Sequence, residues 1–268
     1  AIEHNRHATH ADSAFAASER ISPTYAAIYV PHNYHFLGFA ALLAGRRDLA
    51  IEAARRTVET MPLEGAEGMP EFQPLFAFEH LVLQKFGEWK RLLELPLPDT
   101  TVPVGRAVAQ YARGTALAAT GRTVEAEALL PEVEKVSKGP FNDVARQIVA
   151  VAYHSLAGEI AARSGRWSDA ERHFRVAMDL EDQFTYMEPP WWIEPVRHPL
   201  GMVLLEAGKP REAERLFRED LELFPENAWS LAGLERSLTA QGRSDPAVAD
   251  ALERQASKAG QKLTTAHP

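Results

Sequence analysis

Along the chain, apolar and small residues run in stretches that stop at a glycine and a few polar residues, after which a second apolar stretch begins. LLAGRRDLAIEA, LAATGRTVEAEA, AARSGRWSDAER and LLEAGKPREAER are near copies of this arrangement. Each predicts a helix, a glycine stop, a short polar turn and another helix. Glycine ends the first helix because it takes a left-handed backbone without a Cβ penalty. The pairs Gly45/Ala50, Gly87/Leu92, Gly121/Ala126, Gly165/Ala170, Gly208/Ala213 and Gly242/Ala247 share one offset, and their glycines are 42, 34, 44, 43 and 34 residues apart. A recurrence in that range marks an array of helical hairpins.

Further offsets agree with this register. Gly38, Gly114, Gly158 and Gly201 each precede a turn glycine by seven residues, where a minimal side chain lets two helices cross closely. Phe174 and Phe217, nine residues after the turn, fill the space under the crossing, and Pro62 and Pro225 close the second helices. His80 and Glu235 stand where the small residue belongs in two units. The insertions PLEGAEGMPEFQP and DLEDQFTYMEPPWWIEP account for the longer spacings.

From about Asn33 to Gly242 these residues resemble the tetratricopeptide repeat family. The phrases YVPHNYHFL, KFGEWKRLLELPLP, EPPWW and LFREDLELFPENAWSL look like a bacterial subgroup of it with no established activity. The resemblance implies an all-α, right-handed superhelical solenoid of five to six hairpins in a single domain over 1–268. The expected hairpins span 33–62, 70–98, 103–139, 141–182 and 191–225, with capping helices over 226–268 and a polar tail at the end. Residues 1–20 read as the second helix of an incomplete repeat, with Ile2, Ala8 and Phe15 on an apolar stripe that an upstream segment would cover, or else as a docked capping helix.

Composition narrows the function classes. The chain of 268 residues is 46% hydrophobic, enough for a core that continues along a solenoid. Its net charge of −8 and lack of basic runs disfavour a nucleic-acid partner. It has no cysteine, which excludes disulfides and thiol chemistry and is compatible with either cytoplasm or periplasm. No segment reaches the ~20 apolar residues of a membrane span. Nucleotide-binding glycine loops and the nucleophile elbow are absent from the sequence.

By resemblance, the first helices line a concave face at positions 13, 10, 6 and 3 residues before each turn glycine. These positions hold His32, His35, Phe39, Leu81, Tyr111, Ser155, Glu159, His198 and Met202 among twenty residues, none of them lysine, arginine or asparagine. That composition excludes the family's carboxylate-clamp mode and suits an extended apolar peptide, a protein segment or a small ligand. Trp191 and Trp192, freed from helix by Pro189 and Pro190, either plug a gap or wall the site, with Glu188 as a polar anchor. The acidic run Glu219–Glu222 reads as a solvated helix face.

PHNYH is the sharpest local feature. His32 and His35, three apart at an expected helix start, present two imidazoles on one face. With a third ligand such as His80 or Glu79, they would suit Zn, Cu or Ni. Alternatively they hydrogen-bond across a repeat interface. The leading expectation is a binding scaffold without enzymatic activity; the alternative is a histidine-based metal-binding protein or metalloenzyme on the same frame.

Overall fold

The computed structural model describes residues 1–18 and 22–259. Helix accounts for 75% of the described residues, and no strand occurs among them. Residues 19–20 of the first expected helix and the expected tail over 260–268 lie outside the described residues.

Fourteen α-helices follow in order: α1 (Ile2–Ser18), α2 (Pro23–Leu43), α3 (Arg47–Thr60), α4 (Phe78–Lys85), α5 (Trp89–Glu94), α6 (Pro103–Ala119), α7 (Thr123–Glu127), α8 (Leu130–Ser137), α9 (Asp143–Arg163), α10 (Trp167–Glu181), α11 (Arg197–Glu206), α12 (Pro210–Leu223), α13 (Ala228–Ala240) and α14 (Pro246–Ala259). They pair as hairpins α2/α3, α4/α5, α6/α7–α8, α9/α10, α11/α12 and α13/α14, and successive hairpins pack side by side.

The turns are built alike. Each of the six turn glycines has φ between 66° and 80°. The residue after each donates its N–H to a carbonyl five residues back, as in Arg46 to Ala41 and Arg166 to Ala161, at 2.8–2.9 Å. This motif closes the orphan carbonyls of the first helix while reversing the chain. Under the crossings, Phe217 is fully buried between Gly201 and Gly233, where an added Cβ would approach its ring to 2.4 and 2.3 Å. Gly158 faces Phe174 in the same way, at 2.8 Å.

The element boundaries depart from the expected ones where proline or an insertion competes with the repeat. The first hairpin opens ten residues before 33, because Ser22 caps α2 through its bond from the Tyr25 N–H and the helix runs on through Pro31. Proline costs that helix an internal hydrogen bond, and packing against α1 and α3 offsets the loss. Residues 70–77 form 3-10 helix, so α4 is only two turns long. In the third hairpin the second helix is split into α7 and α8, since the Pro131 ring would clash with the Glu127 carbonyl. Residues 191–196, expected at the start of a hairpin, are loop.

The inner walls of the early and late hairpins meet across the solenoid axis. Trp229 on α13 donates its indole N–H to the Leu42 carbonyl at the end of α2, 2.8 Å away. Its ring lies 5.4 Å from that of Phe86, beside α4. Into the remaining space the 182–196 insertion folds, burying Trp192 on Tyr111 of α6.

Candidate functional site

Two features occupy the inner face: a buried polar cluster and, beside it, an open cavity. The cluster centres on Lys85, at the last position of α4 and 2% exposed. Its ammonium donates to Glu194 Oε1 at 3.0 Å and to His198 Nδ1 at 3.0 Å, and stands 4.9 Å from the Trp229 ring centroid. An ammonium only donates, so Nδ1 must be a lone pair and His198 is the neutral Nε2–H tautomer. That N–H donates to Asp220 Oδ2 at 3.2 Å, and the same oxygen accepts from Asn227 at 2.7 Å and Ser230 at 2.5 Å. Burial lowers the His198 pKa first, and the neighbouring Lys85 charge lowers it further. For Asp220, burial pushes upward, but His198, Ser230 and Asn227 outweigh it and hold the carboxyl below its usual range. On the far side, Glu194 Oε2 accepts from Gln84 at 3.2 Å and from the Tyr111 hydroxyl at 3.3 Å.

The cavity, of about 1290 Å³, lies between α2 and the 181–197 segment. Phe39 and Leu43 of α2, Tyr186, Trp191 and Trp192 of the insertion, and Leu223 and Phe224 at the end of α12 give it an apolar wall. Tyr186 is 85% exposed and Leu223 63% exposed, so much of this wall meets solvent. Its polar lining includes Glu181, Arg197 and Asp220. Arg197 is held by both carboxylate oxygens of Asp182, at 2.7 and 2.9 Å. Glu181 Oε2 accepts the Val196 N–H at 2.9 Å, and burial pushes its carboxyl up to about 8.

The family model described as tetratricopeptide repeat matches residues 107–130 and 195–219. Those segments contain Gly114, Gly121 and Ala126 in one hairpin and Gly201, Gly208 and Ala213 in another, the same offsets that shape the turns and crossings. These two segments are tetratricopeptide repeats. A search of curated proteins finds no match to it.

Within this frame of helical hairpins the residues expected on the concave face separate into three groups. Phe39, Trp191 and Trp192 line the cavity. Tyr111 and His198 belong to the buried polar cluster. Leu81, Ser155, Glu159 and Met202 are at most 5% exposed and form the body of the wall.

The histidines expected to take Zn, Cu or Ni do not converge. His32 and His35 lie in the middle of α2, not at its start. The His32 ring rests on Phe36 at 4.5 Å, and the His35 ring stands edge-on to Phe78 at 4.8 Å. His80 is buried on α4. Burial and then the nearby His32 bring His35 down to about 3, and burial followed by the Arg113 charge brings His80 to about 4. Among the described residues, no three His, Cys, Asp or Glu side chains are grouped as metal ligands. The metal reading is therefore set aside in favour of packing against aromatic rings.

Sequence reasoning missed Lys85, Glu194, Asp220 and Asn227. Asp220 corrects the reading of 219–222 as a solvated face, because it is fully buried. The signal was present: Ala213, Leu216, Phe217 and Asp220 follow the spacing of one helix face, so Asp220 stands on the apolar stripe of α12.

Proposed function

We propose that the chain is a binding scaffold that holds an extended, largely apolar segment of a protein partner in the cavity on its inner face. Tetratricopeptide repeats generally mediate protein–protein interaction. The observation that carries the finer reading is the cavity itself: about 1290 Å³, with Phe39, Tyr186, Trp191 and Leu223 on its wall. That volume exceeds the roughly 300–1,000 Å³ of pockets for small ligands, which favours several residues of a peptide. Partly buried aromatic anchors in such a groove contribute most of the binding energy in peptide recognition. The buried polar cluster supports the reading by holding α4, the insertion and α12 in place, so the groove is formed before the ligand arrives.

The test is selection of peptides from a random display library on the full chain, followed by titration against Phe39→Asp and Leu223→Asp. Selected peptides are expected to be rich in apolar residues and to lose at least about tenfold in affinity on either variant, the scale of one buried hot spot. A library that yields no binder, or binders indifferent to both substitutions, would remove the cavity from the reading.

A further inference from the structure

The charges around the cavity do not balance. In the buried cluster Lys85 is paired with Glu194 at 3.0 Å, and His198 is held neutral by the donor that faces its Nδ1. Asp220 is therefore a buried carboxylate whose closest titratable partner, His198 at 3.2 Å, carries no charge. Among the described residues no lysine or arginine forms an ion pair with it. Its Oδ2 accepts three hydrogen bonds, whereas its Oδ1 meets no donor. A buried carboxylate with one idle oxygen keeps its field, because little solvent lies around it to screen the charge.

That field has an outlet, since Asp220 is part of the cavity lining. Glu181, at the end of α10, lines the same cavity and offers a second carboxyl group. Two guanidiniums also line it: Arg197, already committed to Asp182 through two bonds, and Arg46, in the turn that leads into α3, and the carboxyl groups of the lining outnumber them. Around this negative floor stand aromatic walls, with Phe39 facing Phe224 at 6.1 Å and Trp191 facing Phe72 at 5.4 Å. Aromatic faces attract cations and apolar stems alike, and a carboxylate beneath them selects the cation.

We propose that the cavity takes an alkylammonium group on an apolar stem, with Asp220 and Glu181 as its counter-charges. The assignment rests on the scaffold reading and names the chemistry of what the groove holds. A lysine side chain within a bound peptide and a free alkylamine both present this group. Binding also carries a proton signature. Glu181 faces Asp182 and Asp220, which favour its neutral form, and Arg197, which opposes it. A cation seated beside Glu181 favours the carboxylate, so binding releases a proton below about pH 8 and tightens as pH rises toward that value. A primary alkylammonium, with a pKa near ~10.4, stays charged throughout.

The experiment is calorimetric titration of the full chain with hexylamine, hexanol and hexanoate, and with the peptides Phe-Leu-Lys-Leu-Phe and Phe-Leu-Glu-Leu-Phe. Hexylamine, the lysine peptide or both are expected to bind at least tenfold more tightly than their neutral or acidic counterparts. Which of the two binds identifies the source of the ammonium group. Asp220→Asn is expected to abolish most of that preference. Should it fail to fold, Leu223→Lys carries the test, because that exposed rim residue lies outside the buried cluster. It is expected to weaken the cationic probes at least fivefold more than it weakens hexanol. Glu181→Gln is expected to remove the proton release. Equal binding of hexanol, or tighter binding of the anionic probes, overturns the proposal. If no cationic probe binds while library peptides still do, the ammonium assignment fails and the scaffold reading survives. If neither binds, both fail.

Discussion

Two glycines show how one residue type is required for two different reasons. At Gly165 a Cβ would meet nothing within 4 Å, and the requirement is the φ of 71° that stops α9. At Gly201 the backbone is helical, and the obstacle is the Phe217 ring 2.4 Å from the position a Cβ would take. Gly165→Val should cost about 1–3 kcal/mol through backbone strain alone. Gly201→Ala, a smaller change, should cost a similar ~1–3 kcal/mol through overpacking. Thermal or urea unfolding of the two variants checks both. A companion Phe217→Leu change should relieve Gly201→Ala and leave Gly165→Val untouched. The turn glycines and Phe217 were legible because the chain repeats them at fixed offsets. Lys85, Glu194 and Asp220 were not, because each occurs once and its partners are distant in sequence: 109 residues separate Lys85 from Glu194.

Among the elements, helix ends set by glycine were readable, and helix starts set by tertiary packing were not. Pro31 reads as a break, yet α2 continues through it because that stretch is clamped from outside. Asp12 on α1 accepts hydrogen bonds from Tyr25, 2.7 Å away, and Asn33, 2.8 Å away, one on each side of the proline. The same logic governs α4, a helix of two turns whose final residue ties it to the insertion and to α11. Lys85→Met should destabilise the protein by about 3–5 kcal/mol, since it strands the Glu194 carboxylate without its counter-charge. Lys85→Met/Glu194→Gln should recover part of that loss. Chemical denaturation of the two variants would show the difference, and equal losses would mean that packing at Lys85, rather than its charge, matters.

At the scale of the molecule, the buried titratable groups set the response to acid. His35 and His80 have folded-state pKa values of about 3 and about 4, below the ordinary histidine value of 6.5. From about pH 6.5 down to about 4 the unfolded chain takes up protons that the folded chain refuses, so stability falls as pH falls. Glu181 acts with the opposite sign. Raised to about 8, it retains in the folded state a proton that the unfolded chain sheds above about 4.5, and stability falls as pH rises through that window. Glu181 offsets part of this, while His198, His32, His154 and His173, whose pKa values burial also lowers, add to the acid sensitivity. Urea midpoints should therefore decline from pH 6.5 to 5, and His80→Gln should flatten the decline. The contact between Trp229 and Leu42, 187 residues apart, gives this whole a further property. Arrays whose units touch only their neighbours can lengthen by duplication, since a copied unit disturbs nothing beyond its own borders. A seventh hairpin between α6 and α9 would carry α13 away from α2 and leave the Trp229 indole facing no carbonyl. Closure thus ties the number of hairpins to this one contact.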